Sequence, residues 1–274
     1  MPRVTKGKAT SAAPVAKARR ASRTRAEPAG GDDAWFSDPK LAGLVKSQVE
    51  DVDLVTHRRT QFVRTAITLF SRKGYHATTV KEIAEATGVS PGLIYQYVTD
   101  KEDILFLALQ LIVHTNKRAV PAAMGTVKHP VHKFVAGFKA YCSVIDANRD
   151  ATMLTYRETK SLRADQREAI KNMEIESNEL IGRCAKLCVD GGYFRPINVE
   201  LFVYQTIMVA HTWALKYWRF KDVTTFDEYV ATNLELLMRS VVTDEGWTTY
   251  LAIADEPGAR PASRVRAAAQ PRRS

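Results

Sequence analysis

The chain has 274 residues, of which 45% are hydrophobic, and its formal net charge is +10. This length allows two domains of modest size, each with its own apolar core. Three cysteines are too few for a disulfide framework, and no apolar run reaches the roughly 18 residues of a membrane span. Disulfide-stapled and membrane-spanning classes of protein are therefore excluded.

The positive charge is concentrated at the two ends of the chain. Residues 1–30 hold eight Lys or Arg against one Glu, residues 257–274 hold five Arg and no acid, and residues 31–256 sum to about −2. Since these ends offer little apolar surface to bury, we predict disordered basic tails over residues 1–33 and 255–274. A basic tail can attract DNA phosphates by counterion release, or it can be a solvated segment without a function.

Residues 34–56 form a predicted N-terminal extension, with a short helix expected around residues 39–49. Its apolar residues, Trp35, Phe36 and Leu44 among them, indicate that the segment docks on another part of the protein. The sequence does not indicate which part receives it.

A first domain is predicted over residues 57–105, beginning with a helix from about 57 to 73 that Gly74 ends. Apolar residues recur along this helix at helical spacing. Thr79 and Glu82 then have the T-x-x-E spacing of a capping box, in which a hydroxyl and a carboxylate satisfy unpaired N–H groups at a helix start. We therefore expect a second, short helix from this point.

A tight turn and a third helix, predicted over residues 91–97, come next. Gly88 lacks a Cβ atom and so suits the left-handed conformation that such a turn needs. Ser90 is a suitable N-cap residue, and Pro91 fits the first helical position, where a missing N–H costs nothing. Helix, glycine turn and short helix make up the helix-turn-helix pattern, whose second helix enters the major groove of DNA.

This part of the chain closely resembles the DNA-binding domain of TetR-family (TetR/AcrR) transcriptional regulators, over the sequence RRTQFVRTAITLFSRK followed by GYHATTVKEIAEATGVSPGLIYQYVTDKEDIL. The resemblance is specific from about Arg58 to Leu105, and beyond Leu105 it rests on helical pattern and size. It implies an all-α fold with an N-terminal three-helix DNA-binding domain, residues 57–105, and a C-terminal helical ligand-binding and dimerisation domain, residues 106–254. The alternative is a structural three-helix unit that never meets DNA.

The resemblance also indicates which side chains would face DNA. The candidates are Thr79, Ser90, Pro91, Gly92, Tyr95, Gln96, Tyr97 and Lys101. Gln96 is the candidate for reading bases, since its amide can pair bidentately with adenine. Tyr95, Tyr97 and Lys101 correspond to family positions that contact phosphates, although each tyrosine could instead pack in the core. Thr79 can present its hydroxyl and the start of its helix to a phosphate.

Six further helices are predicted from apolar residues at helical spacing. They cover residues 100–120, 131–148, 150–161, 164–190, 198–220 and 225–241, and a short helix is possible over 247–254. Pro121 is expected to stop the first of them. No strand pattern competes.

In the family, a C-terminal domain of this kind holds a small-molecule pocket whose occupancy changes the spacing of two recognition helices. The candidate lining residues are Phe138, Tyr141, Met153, Tyr156, Arg157, Met173, Ser177, Val209 and Trp213, although a residue of this kind is more often plain core than a ligand contact. Arg157 interrupts an apolar stretch, and the segment TWALKYWRF resembles members that respond to acyl-CoA thioesters or lipid-derived acids. An arginine suits a carboxylate or a phosphate, but it could also pair with Glu158 or Glu174.

We therefore expect a ligand-responsive, sequence-specific transcriptional regulator, a repressor released from a palindromic operator by a small amphipathic, acyl-CoA-like or lipid-derived ligand. Its partners would be double-stranded operator DNA, that effector and a second copy of the chain. The apolar helices at 198–220 and 225–241 would form the dimer contact, with Ala210 and Ala214 allowing close approach. We expect no cofactor, metal or membrane, and a cytoplasmic, nucleoid-associated location.

The sequence leaves three alternatives to a ligand-responsive repressor. An architectural or constitutive DNA-binding protein without a ligand would also explain the basic tails. An activator cannot be separated from a repressor by sequence, and the ligand, operator and target genes are not indicated either. An enzyme is disfavoured, because no nucleophile elbow, Gly-rich phosphate loop or zinc spacing is found.

Overall fold

A computed structural model describes residues 43–254 of the chain. The predicted tails, residues 1–33 and 255–274, lie outside the described residues, as do residues 34–42 of the extension. Between residues 43 and 254 every regular element is helical, apart from an isolated bridge between Phe194 and Val242. The all-α fold class is confirmed.

Eleven α-helices follow one another along the described part of the chain. They are α1 (Val52–Lys73), α2 (Val80–Thr87), α3 (Pro91–Ile94), α4 (Lys101–Gly125), α5 (Pro130–Ala147), α6 (Arg149–Glu158), α7 (Ala164–Asp190), α8 (Val199–Leu215), α9 (Tyr217–Phe220), α10 (Phe226–Val241) and α11 (Asp244–Ala254). A 3-10 helix, Thr159–Ser161, follows α6. No helix between residues 43 and 254 is long and apolar enough to cross a bilayer.

The helices form two packed groups joined by α4. Helices α1 to α3 and the first turn of α4 enclose a core that includes the fully buried side chains of Phe62, Ile83 and Ile94. Further along, α4 packs against α5, α6 and α7, and α8 covers α5 to α7 from another side. Because one continuous helix belongs to both groups, a displacement of α4 in one group is transmitted to the other.

The start of the chain differs from the prediction in two ways. Helix α1 begins at Val52, where the Asp51 carboxylate caps it by accepting the Leu54 N–H at 3.0 Å. Residues 52–56 therefore belong to the first helix and not to an extension. The prediction of a helix around 39–49 is wrong for its described part, because residues 43–49 are not helical and the carbonyl groups of Leu44 and Val45 bond to distant side chains.

Pro121 does not stop α4, which continues to Gly125. A proline removes one helical hydrogen bond and crowds the preceding turn. Here Val120 and Met124, on either side of it, are buried, and the Met124 side chain lies against Gly137 of α5. Packing between α4 and α5 therefore outweighs the tendency of Pro121 to break the helix.

The apolar segment 198–220 is divided into α8 and α9 at Lys216. Ala210 and Ala214 of α8 are only 1% and 5% exposed, so they face the core of their own protomer and are not available for a contact across a two-fold axis. The expectation for these two alanines is wrong. The exposed apolar side chains of α8 are instead those of Leu201, Tyr204 and Met208.

Candidate DNA interface and effector cavity

The start of α2 is fixed by the predicted capping box. The Glu82 N–H donates to the Thr79 hydroxyl at 3.2 Å, and the Thr79 N–H donates to the Glu82 carboxylate at 2.8 Å. That carboxylate also accepts a hydrogen bond from Lys73 Nζ at 2.6 Å. The bonds from Lys73 and Thr79 lower the pKa of Glu82 to about 2. The N-terminus of α2 is thus held at the surface, with the Thr79 side chain exposed.

The turn and α3 have the expected caps but a shorter helix. Gly88 has a φ of 73°, in the left-handed region, and the Ser90 hydroxyl accepts the Leu93 N–H at 3.3 Å. Helix α3 ends at Ile94, and looser turns carry the chain on to Val98. The structure leaves five of the predicted DNA-facing residues of this segment exposed, namely Ser90, Pro91, Gly92, Tyr95 and Gln96.

Tyr97 lies in a different environment from Tyr95. The Tyr97 side chain is 3% exposed and its ring packs edge-on against Phe62, with 5.8 Å between the ring centroids. Tyr95 is 45% exposed. Of the two tyrosines, the structure therefore leaves Tyr95 accessible, and it places Tyr97 in the core because its ring fills the space between α1 and the end of α3.

Lys101 is already engaged inside the protein. Its Nζ donates to the carbonyl groups of Tyr75 at 2.9 Å and Thr78 at 3.0 Å, and it lies 4.3 Å from the centroid of the Tyr75 ring. Burial lowers the pKa of this lysine. Lys101 thus closes the turn between α1 and α2 and orients the start of α2.

Residues 44–48 form a non-helical segment, the clasp, which lies beside the end of α3. The Gln48 N–H donates to the Gln96 carbonyl at 2.8 Å. The Ser47 hydroxyl is within donor distance of this carbonyl, at 3.2 Å, and of the Val49 carbonyl, at 3.1 Å. This is where the extension docks. The sequence gives little signal for it, because Val45, which is 1% exposed, is the only member of the clasp that is buried.

A second candidate site is a cavity of about 40 Å³ among α4 to α8. Tyr141, Tyr156 and Ser177, three of the nine predicted lining residues, line it. The other six do not. Phe138 and Trp213 are buried core, Met153, Met173 and Val209 are half-buried nearby, and Arg157 is exposed on the surface of α6.

His211 lies at the centre of the cavity wall and was not predicted. Its Nε2 lies 2.9 Å from the Tyr141 hydroxyl, and its Nδ1 lies 2.8 Å from the Tyr156 hydroxyl. Burial lowers the pKa of His211 to about 4 and raises that of Tyr156 to about 12. All three groups are therefore neutral at pH 7. A lone histidine in the nearly apolar segment TIMVAHTWAL was the sequence signal for it.

Several polar atoms in the residues that line the cavity have no hydrogen-bond partner within residues 43–254. They are Asn116 Oδ1, Ser177 Oγ and both amide atoms of Asn178, and these three residues are 1%, 4% and 4% exposed. Each such atom costs about 1–3 kcal/mol when it is buried unpaired. A group that both donates and accepts hydrogen bonds would satisfy them.

The charge of the cavity restricts what it can hold. Among the described residues that line it, none is Lys or Arg, and the ionisable Glu174 has its pKa raised by burial. A buried anionic group would find no cation there. Charged side chains of both signs instead line a separate open groove of about 800 Å³ between α1, α4 and the turn from α5 to α6, where Arg64, Arg118 and Arg149 lie with Asp146 and Asp150. Arg149 forms an ion pair with Asp146.

The chain is similar in sequence to known transcriptional regulators. Residues 62–108 match the family described as "Bacterial regulatory proteins, tetR family". The HTH-type transcriptional regulator HbdR of Aromatoleum sp. (strain CIB) is 46% identical over 216 residues, which cover 79% of this chain and 94% of HbdR. The HTH-type transcriptional repressor KstR2 of Rhodococcus jostii (strain RHA1) is 30% identical over 182 residues, covering 60% of this chain and 83% of KstR2.

Solved structures share the fold. The crystal structure of AibR in complex with isovaleryl coenzyme A and operator DNA superposes with a TM-score of 0.58, covering 66% of this chain and 98% of AibR. The two sequences are 17% identical, so the likeness shows a common fold.

Proposed function

We propose, from the premise that this chain belongs to the tetR family of bacterial regulatory proteins, that it is a repressor which a small effector releases from a palindromic operator. As a member of that family it is a DNA-binding transcriptional regulator and not an enzyme. The repressor assignment is supported by the name of KstR2. We infer that it acts in the cytoplasm at the nucleoid, where its operator would lie.

We infer that the operator is read by two copies of the chain. One helix-turn-helix unit makes few base contacts, and a two-fold dimer doubles them on half-sites about 34–36 Å apart. The dimer contact is assigned to α8 and α10, where Leu201 is 62% exposed and Leu236 is 62% exposed. Contiguous exposed apolar patches typically mark association surfaces.

Light scattering at micromolar concentration tests the dimer. The wild type is expected to be dimeric, and Leu201→Glu is expected to produce monomers, because it places a charge in the contact. Leu251→Glu, at a site of 44% exposure on α11, is the matched control and should stay dimeric. A monomeric wild type would contradict the assignment.

We propose that the cavity among α4 to α8 receives the effector. The main support for this proposal comes from the buried polar atoms of Asn116, Ser177 and Asn178, to which a bound polar group would supply the missing hydrogen bonds. Because no Lys or Arg is among the described lining residues, the group that enters is uncharged. The cavity holds only a few water molecules at its present size, so binding must enlarge it. Tyr156, which is 48% exposed, marks the side that opens.

An acyl-CoA thioester fits this division of charge. Its acyl part is uncharged and would occupy the enlarged cavity, whereas its charged phosphates would stay outside the cavity. The complex of AibR with isovaleryl coenzyme A supports this class of effector. Arg157 is not part of the proposal, since it is exposed and lines neither the cavity nor the groove.

The test begins with a duplex that the wild type selects from a randomised DNA library. Short-chain acyl-CoAs at tens of micromolar should release the protein from this duplex and raise its melting temperature, whereas the free acids should not. Asn178→Leu should abolish the release while the fold stays at least as stable, because unpaired amide atoms are removed. Lys171→Met, an exposed change on the same helix, should respond like the wild type. Full release from Asn178→Leu would contradict the cavity as the effector site.

A further inference from the structure

We propose that the clasp, residues 44–48, couples the recognition helix α3 to helix α7, and that Ser47 and Gln166 are positioning residues for DNA reading. The proposal rests on the regulatory function above and adds a connection between its two sites that runs through the clasp and α7, beside the one through α4. Neither Ser47 nor Gln166 touches DNA in this scheme. Both act through the main chain at the end of α3.

The first step is the contact between the clasp and α3. The last carbonyl groups of a helix have no partner within the helix. In the turn just after α3, the Gln96 carbonyl accepts a hydrogen bond from the Gln48 N–H and is within reach of the Ser47 hydroxyl, and the Tyr95 carbonyl accepts one from Gln48 Nε2 at 3.4 Å. The clasp thus supplies the missing donors. The residue that it holds, Gln96, is the candidate for reading bases.

Arg59 locks this contact from inside the first domain. Its Nη2 donates to the Val45 carbonyl at 2.9 Å and its Nε to the Tyr97 carbonyl at 3.0 Å. The side chain is buried, and this burial lowers the pKa of Arg59 to about 10, so it keeps its charge at pH 7. One guanidinium therefore ties the clasp to the turn after α3.

The other end of the clasp is bound by α7 and the residue before it. The Leu44 carbonyl accepts hydrogen bonds from Arg163 Nη2 at 3.3 Å and from Gln166 Nε2 at 3.4 Å. The same two side chains bind Asp103 Oδ1, at 2.6 and 2.8 Å. Asp103 Oδ2 in turn accepts the Thr99 N–H at 2.8 Å. The clasp, α7 and the start of α4 thus share one buried polar network.

Helix α7 connects this network to the effector cavity. Gln166 lies one turn before Ile170, and the following turns of α7 place Glu174 and Asn178 in the cavity wall. The distance along the helix from Gln166 to Asn178 is about 18 Å at 1.5 Å per residue. Because a helix moves as a unit, enlarging the cavity shifts the Gln166 side chain against the Leu44 carbonyl. The clasp then passes that shift to the carbonyl groups that end α3.

Loss of the clasp has different consequences if it only stabilises the first domain than if it positions α3. If the clasp only stabilises the first domain, its loss lowers the melting temperature and leaves the preference for operator DNA unchanged in the folded protein. If it positions α3, its loss lowers affinity for the selected duplex more than affinity for random DNA. The ratio of the two dissociation constants therefore separates these roles, since phosphate contacts dominate non-specific binding.

The experiment measures this ratio in the full chain by fluorescence anisotropy at fixed salt, with the duplex selected by the wild type and a random duplex. Ser47→Ala and Gln166→Met are compared with Lys171→Met, an exposed control on α7. Each of the two variants is expected to lower the ratio of the dissociation constant for random DNA to that for the selected duplex about five- to tenfold. The double variant should lower it no further than the more strongly affected single variant, since the two residues act through one network. The control should keep the wild-type ratio. Melting curves verify that each variant is folded at the assay temperature.

Unchanged ratios in both folded variants would overturn the proposal, and so would effects that multiply in the double variant. If Gln166→Met does not fold, Arg163→Lys replaces it, because Arg163 is partly exposed and the change keeps its charge. The readout needs no effector. A wild type that fails to respond to acyl-CoAs therefore counts against the proposed effector, whereas an unchanged ratio counts against the clasp.

Discussion

The Nε2 atom of His211 lies 2.9 Å from the hydroxyl of Tyr141, in an interior where neither group can ionise at pH 7. Both rings belong to the wall of the cavity among α4 to α8. Burial disfavours the imidazolium ion and lowers the pKa of His211 from 6.5 to about 4. The native protein therefore binds fewer protons than the unfolded chain between those two values.

This relationship predicts a pH dependence of stability. The contribution of neutral His211 is complete above about pH 6.5, and it is lost as the pH falls to about 4, because the unfolded chain takes up the proton first. The difference in pKa corresponds to roughly 3 kcal/mol at 1.36 kcal/mol per pH unit. His211→Gln should therefore lose less melting temperature than the wild type between pH 7 and pH 5. His57→Gln, at an exposed position, is the control, and parallel curves for His211→Gln and the wild type would refute the assignment.

The two capping boxes offer a matched pair of changes. Thr79→Ala and Thr225→Ala each remove a hydroxyl that caps a helix start, of α2 and of α10 respectively. Each should lower the free energy of unfolding by about 1 kcal/mol. Only Thr79→Ala should also weaken binding to operator DNA, because α2 belongs to the DNA-binding domain. Denaturant unfolding and anisotropy measure the two effects, and equal DNA affinity of both variants would contradict the role of the α2 start.

Gln96→Ala tests base reading. The exposed amide of Gln96 is expected to contribute about 1–3 kcal/mol of discrimination between bases. The variant should bind the selected duplex less tightly and tolerate more sequences, while its affinity for random DNA and the salt dependence of binding stay unchanged. A repeated library selection with the variant measures the relaxed position. An equal loss of affinity for all DNA sequences would instead indicate that Gln96 contacts a phosphate.

Tyr95 and Tyr97 should respond differently to loss of their hydroxyl groups. Tyr95→Phe should weaken binding to both selected and random duplexes by a similar factor, because the exposed hydroxyl at this position is predicted to contact a phosphate. Tyr97→Phe should leave DNA affinity unchanged, since the Tyr97 ring is buried against Phe62. Anisotropy titrations with both duplexes distinguish them. An equal loss for both variants would mean that Tyr97 turns outward on DNA.

Gly246 tests the docking of the last helix, α11. A Cβ atom at this position would overlap the carbonyl of Tyr193 in the turn after α7, whereas a Cβ at Gly125 would meet nothing within 4 Å. The carbonyl of Tyr193 also accepts the Thr243 N–H at 3.0 Å, so it is not free to move away. Gly246→Ala should therefore cost about 1–3 kcal/mol of stability, as overpacking does. Gly125→Ala is the control and should be neutral or slightly stabilising in a thermal melt.

Local chemistry explains which parts of the fold were predictable. The capping boxes at Thr79 and Thr225, the left-handed Gly88 and the Ser90 cap depend on residues within a few positions of each other, and the structure has all of them. Helix α7 has the predicted bounds because its apolar stripe is long and regular. Pro121 was misjudged because its effect depends on how firmly α4 is packed against α5.

The cavity was predictable only in part. Large residues such as Tyr141 and Tyr156 were identified from their positions on apolar helix faces, but Asn116 and Asn178 look like ordinary surface residues in the sequence. Their importance follows from burial without a partner, which depends on how α4 and α7 face each other. Similarly, Arg157 looked like a ligand contact until the rotation of α6 placed it at the surface.

The sequence by itself determined the all-α class, most helix ends and the likeness to a family of DNA-binding regulators, because caps, turns and helical periodicity act over a few residues. Only the tertiary structure decided that residues 44–48 lie at the end of α3, that Tyr97 and Ala210 face inward and that His211 is enclosed between two tyrosines. These facts depend on contacts between residues far apart in the chain, such as the 119 positions that separate Leu44 from Arg163. Such contacts leave no periodic pattern in the sequence, since each is fixed by the packing of whole helices.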